Sequence, residues 1–69
     1  MIDVKINGEF VELYKVLKFE GLAQSGGQAK SVIANGEVTV NGEIETRKRK
    51  KLVAGDIIKF DQQELRIEV

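Results

Sequence analysis

The sequence predicts an α+β fold of two consecutive helices packed on one face of a small, mostly antiparallel β-sheet. Three observations point there. Apolar residues alternate with polar ones at the two ends of the chain, they recur at helical spacing between about residues 11 and 35, and glycines punctuate the changes of period. With 69 residues the chain reads as one domain, 1–69. Such a domain buries only about 60% of the surface that its unfolded form exposes, so its core is small.

Residues 2–6 set Ile2, Val4 and Ile6 against Asp3 and Lys5, a half-buried strand that ends at Asn7-Gly8. From about residue 11 the period changes. Leu13, Val16 and Leu17 share one helical face with Phe10 and Glu20 at its edges, Tyr14, Lys15 and Lys18 face away, and Gly21 ends the helix. Ser25-Gly26-Gly27-Gln28 has capping-box spacing and opens a second helix, whose apolar stripe is Ala29, Val32 and Ile33. Asn35-Gly36 closes it. Two glycines in one first turn cost about 1 kcal/mol each of helix propensity. Close approach of another backbone, or tight packing of the two helices, would explain them.

Beyond Gly36 the period is two. Val38 and Val40, then Asn41-Gly42, then Ile44 form a hairpin signal. After the run Arg47-Lys48-Arg49-Lys50-Lys51 come Gly55-Asp56, a strand at 57–60, a turn at 61–63 and a last strand at 65–69, beside which the first strand is expected to lie.

Net charge is zero, from 11 basic and 11 acidic residues. Its distribution is uneven: residues 1–23 sum to −1, 24–46 to −2, 47–51 to +5 and 52–69 to −2. Five adjacent cations act as one field within a Debye length of about 8 Å. The run interrupts a β region, so it protrudes or lies along a sheet edge, where phosphates can reach it. Its two arginines allow bidentate phosphate contacts. Lys15 and Lys18 on the first helix and Lys30 on the second extend the candidate patch, and Tyr14 beside them either covers the rim of the core or offers a face for an unpaired base.

His, Cys, Pro and Trp are absent, which excludes disulfides, soft metal sites, thiol nucleophiles and imidazole bases. No nucleophile-and-base pair is visible, and no cofactor site, small-molecule substrate or catalysis is expected. The N-terminus lacks a signal-peptide apolar region and no run spans a membrane, so a cytoplasmic domain with no membrane partner is expected. Without a long apolar seam, a monomer is expected.

The order of these features resembles the RNA-binding domain first described in ribosomal protein S-four, also called the αL RNA-binding motif. The resemblance runs over a family-like core of residues 13–60 and rests on Leu13, Lys15, Leu17, Gly21-Leu22, Ser25, Gln28-Ala29-Lys30, Ile33, Gly36, Val38, Val40-Asn41-Gly42, the basic run, Gly55-Asp56 and Ile58. Short length and the segment Gln24 to Lys30 look most like the stand-alone bacterial YaaA/YbcJ-like group. The resemblance implies binding of structured RNA of the ribosomal or transfer class, with the ribosome as a partner in view, through Lys15, Lys30 and Arg47 to Lys51. The chain departs from the family at Glu12, Gly26, Glu37 and Glu43, positions often basic, which shifts the burden to residues 47–51. The competing reading is a protein-interaction module whose basic loop takes an acidic partner.

Overall fold

The computed structural model describes residues 1–69. Its elements are β1 (Ile2–Lys5), β2 (Val11–Glu12), α1 (Leu13–Phe19), α2 (Gly26–Ala34), β3 (Val38–Val40), β4 (Glu43–Ile44), β5 (Lys51–Leu52), β6 (Ile57–Phe60) and β7 (Gln63–Glu68). Five strands form one sheet in the order β1-β7-β6-β3-β4, parallel only between β1 and β7. The expected fold is therefore present, with the first strand beside the last. The two-stranded ribbon β2-β5 is an addition. Residues 11 and 12, expected as the start of the first helix, are extended, and α1 begins at Leu13. The helical spacing of Leu13, Val16 and Leu17 cannot define that boundary, because Val11 is paired instead with Leu52.

All thirteen buried side chains are apolar and form one cluster. Leu13, Val16 and Leu17 of α1 and Ala29 and Ile33 of α2 meet Val38, Ile58, Leu65 and Ile67 of the sheet there. Burying each Val, Leu or Ile side chain among them contributes about 1.5–3 kcal/mol. No polar or charged residue is buried, so every ionic group lies toward the surface.

Both helices end in the same motif. Gly21 and Gly36 adopt positive φ, and their amides donate to Lys18 and Ile33 while the next amides, Leu22 and Glu37, reach back to Leu17 and Val32. These bonds occupy carbonyls that a helix end otherwise leaves unpaired. Ser25 Oγ accepts from the Gln28 amide at 3.1 Å, and Gln28 Oε1 accepts from the Gln24 amide at 2.6 Å. The reciprocal half of the box thus lands one residue earlier than the motif requires. Neither Gly26 nor Gly27 is dictated by packing: an added Cβ at Gly26 would meet the Tyr14 ring at 3.8 Å, an ordinary contact.

Two hairpins turn on residue pairs with positive φ, Asn41-Gly42 and Asp61-Gln62. The second turn is shorter than the sequence suggests, and β7 starts at Gln63 rather than 65. Asp-Gln lacks the glycine that advertises such a turn. Asn41 has a second task. Its Nδ2 donates to Asp56 Oδ1 at 3.0 Å, its Oδ1 accepts from the Ile57 amide at 2.9 Å, and Asp56 Oδ2 accepts from the Val53 amide at 2.9 Å. Two of the motif positions, Asn-Gly and Gly-Asp, are thus one clasp that anchors the far end of the segment following the basic run. Asn41→Gly keeps the backbone freedom and removes the clasp, so it should lower stability by about 1 kcal/mol. Urea denaturation with an unchanged m-value is the check.

Candidate nucleic-acid interface

The basic run folds as a turn followed by the short strand β5. Lys50 N donates to Arg47 O at 3.2 Å, and Lys51 pairs with Glu12 in the ribbon. Its backbone is then fastened to α1. The first amides of that helix, which have no intrahelical acceptor, find carbonyls of the loop: Leu13 N donates to Lys50 O at 2.9 Å and Tyr14 N to Lys48 O at 3.1 Å. The helix gains acceptors that its N-cap residue does not supply, since Glu12 makes no side-chain capping bond. The loop gains a fixed position, with its side chains at the surface.

Tyr14, partly buried against the core, is the point around which cations from three elements gather. Lys30 Nζ of α2 lies 4.7 Å from its ring centroid, the Arg49 guanidinium of the loop 5.6 Å, and Lys15 Nζ of α1 6.0 Å. All three are within the range in which a ring quadrupole attracts a cation. Lys51 Nζ sits 4.8 Å from the ring of Phe10 in the same way. Arg47, Arg49, Lys50 and Lys51 alone line an open hollow of about 440 Å³.

Carboxylates restrain part of this charge. Glu12 lies 3.3 Å from Lys15 Nζ and 3.7 Å from Arg49 Nη1, tying α1 to the loop. Glu45 holds Arg47 by a fork, with Nε to Oε2 and Nη2 to Oε1 both at 2.9 Å, and also accepts from the Arg47 amide at 3.0 Å. The Arg47 side-chain hydrogen bonds, joined by its amide and its charge, lower the Glu45 carboxyl to about 2 against an opposing desolvation effect. Lys30, Lys48, Lys50 and Lys51 have no carboxylate partner.

Of the residues singled out in the sequence, Lys15, Lys30, Arg49 and Tyr14 are brought together, and Arg47, Lys48, Lys50 and Lys51 adjoin them on the loop. Lys18 is not drawn in. It stands in the last turn of α1, about 6 Å farther along the axis than Tyr14 by helical rise, and makes no ion pair. Three contributors were not legible as such: Glu12 as a bridge, Glu45 as the partner of Arg47, and Phe10 as the support for Lys51. The spacings Glu45-x-Arg47 and Glu12-x-x-Lys15 were the available signals, the second for the Lys15 half of the bridge only.

This basic surface is carried on two helices and a small sheet over a wholly apolar core. The chain belongs to the S4 domain family, whose signature matches residues 4–68. It is 56% identical over 50 residues to the putative RNA-binding protein YbcJ of Escherichia coli, covering 72% of this chain and 71% of that one. It is 36% identical over 58 residues to the probable ribosome maturation protein RlbA of Bacillus subtilis, covering 84% of this chain and 82% of that protein. The solution structure of E. coli YbcJ, described as having an αL motif involved in RNA binding, superimposes with a TM-score of 0.76 at 41% identity, over all of this chain and 89% of that one. The 30S ribosomal protein S4e of Thermoplasma acidophilum shares the fold, with a TM-score of 0.71 at 23% identity over 87% of this chain and 32% of that one. No helix is long and apolar enough to cross a membrane.

The Glu45–Arg47 fork has a measurable signature. A carboxyl held below its ordinary value stabilises the fold above about pH 4.5, and that contribution is lost as pH falls through about 2. Carboxyl NMR titration should place the Glu45 midpoint near 2, and Arg47→Ala should return it toward 4.5.

Proposed function

We propose that this domain binds structured RNA, of the ribosomal or transfer class, through its backbone phosphates and without catalysis. The observation that carries the reading is the gathering of Lys15, Lys30 and Arg49 around Tyr14, continuous with the loop cations Arg47, Lys48, Lys50 and Lys51. Cations from two helices and a loop, fixed by backbone hydrogen bonds, suit a folded phosphate backbone better than a single flexible chain of like charge. The names of the relatives support RNA as the partner class, and that of RlbA supports ribosomal RNA within it.

Lys30, Lys48, Lys50 and Lys51, the lysines of this surface without carboxylate partners, are the primary phosphate contacts. Arg47 and Arg49 join only as Glu45 and Glu12 release or share them. Tyr14 serves as a platform for cations: with Lys30 and Arg49 against its ring, a base stacks there only by displacing them. Glu37 and Glu43, at positions often basic in the family, keep the rest of the surface from attracting RNA without discrimination, while Glu12 restrains Lys15 and Arg49 within the basic surface.

Each phosphate neutralised contributes about 0.7–0.9 to the slope of log affinity against log salt, so four contacts give a slope of about 3 in magnitude and six about 5. Titration of a ribosomal RNA fragment between about 50 and 200 mM salt should give a slope in that interval, and replacing Lys30, Lys48, Lys50 and Lys51 by Ala should flatten it to below about 1.5. A slope near zero, or one untouched by the four replacements, contradicts the reading. Retention of an acidic protein after nuclease treatment, with no bound RNA, would favour the loop as a protein-docking element.

A further inference from the structure

The basic face leaves one side of the molecule unexplained. β1 is an outermost strand of the sheet, with β7 on one side and no neighbour on the other. The opposite edge, β4, has only two residues, Glu43 and Ile44, whereas β1 has four. Beside β1, on the helix-covered face, Val4, Ile6, Phe10, Val16 and Phe19 line a groove; Phe10 and Phe19 are 44% and 68% exposed.

The direction of the backbone groups along β1 is fixed by its pairing with β7. The Ile6 amide donates to Glu68 O at 2.8 Å, so the even-numbered residues turn their N–H and C=O groups inward. The odd-numbered residues, Asp3 and Lys5, therefore turn theirs out to the free edge. An antiparallel strand added there must place residues with outward-facing groups directly opposite each other. For a second copy of the same strand, three such registers centre between Asp3 and Lys5, the two charged residues of the strand. One sets Asp3 against Asp3 and one sets Lys5 against Lys5, and both repel. The third sets Asp3 against Lys5 of the second copy and Lys5 against its Asp3. It centres on Val4, which then faces Val4 of the second copy, with Ile2 opposite Ile6.

We propose that two copies of this chain pair through the free edges of β1, antiparallel and centred on Val4. Of the three, that register is the one in which the strand's own side-chain charges are complementary. Its apolar residues fall on the helix-covered face, where each groove is extended by Ile2 and Ile6 of the second copy. The symmetry axis stands perpendicular to the sheet, so both helical layers, and both basic loops, lie on the same side. The pair would present two copies of the basic surface to one RNA, but its formation does not depend on RNA.

A four-residue strand pairing is far smaller than the roughly 1,200 Å² of stable interfaces, so the chain is monomeric when dilute and pairs at high concentration. Sedimentation velocity from about 10 μM to about 1 mM protein should show a reversible shift from monomer to dimer, as expected of a weak complex. Lys5→Asp and Asp3→Lys should each remain monomeric at the highest concentration, because each sets like charges opposite one another. An equimolar mixture of the two should recover a one-to-one dimer, because the two carboxylates on β1 of one variant then face the two lysines on β1 of the other. Circular dichroism confirms that each variant is folded. Asp3 also contacts Arg66 at 3.3 Å, whereas Lys5 has no ion pair, so Lys5→Asp alone carries the test if Asp3→Lys unfolds. A wild-type chain that stays monomeric throughout, a dimer indifferent to Lys5→Asp, or two folded variants that fail to pair would each overturn the proposal.

Discussion

The arrangement depends on two hydrogen bonds between backbone groups. Leu13 and Tyr14 begin a seven-residue helix whose preceding residue offers no capping side chain, and the carbonyls of Lys50 and Lys48 accept their amides instead. The short ribbon of β2 and β5 continues the same attachment. A loop of five like charges would otherwise extend by self-repulsion. Fastened by its backbone, it keeps its cations beside Tyr14 and close to Lys30 of the next helix. The helix N-terminus is thus not an anion site of its own. It is consumed in placing the groups that attract anions.

The second organising force is charge set against charge. The body carries −5 over 64 residues, and the loop +5 over five. Within that contrast Glu12 and Glu45 are the two acidic residues that touch the cationic surface. Glu45 is held so firmly that it remains ionised well below the ordinary carboxylate range, and Arg47 is correspondingly occupied. The surface presents a few free lysines with arginines held in reserve. In the proposed function, such a surface favours a partner that brings several phosphates at once over one that offers a single anion.

Much of this was legible in the residues. Both helix ends followed from glycines at 21 and 36, because a positive-φ residue there is what a backbone-satisfied terminus requires. Asn41-Gly42 announced its hairpin for the same reason. Position in the chain also showed that residues 47–51 interrupt a β region. What escaped was everything set by long-range pairing. Val11 sits in a stretch with helical spacing, yet it is held extended by Leu52, 41 residues away. Asp61-Gln62 turns with positive φ at two non-glycine residues because the strands on either side fix its length. The bridge from Glu12 to Arg49 and the meeting of Arg49 with Lys30 over Tyr14 join positions far apart in sequence, and no local pattern announces them. Lys18 illustrates the converse. Helical spacing grouped it with Tyr14 and Lys15, but the docked loop covers only the first turn of α1, and Lys18 stands in the last.

The proposed RNA surface is built from the start of α1, the first half of α2 and the loop between β4 and β5. Amide chemical-shift mapping during titration with a structured ribosomal RNA fragment tests it most directly. The largest changes should fall at residues 13–15, at Lys30 and from Arg47 to Lys51, leaving β1 and the 61–62 turn little altered. Changes concentrated along β1 or β4, with the loop amides unmoved, would contradict it.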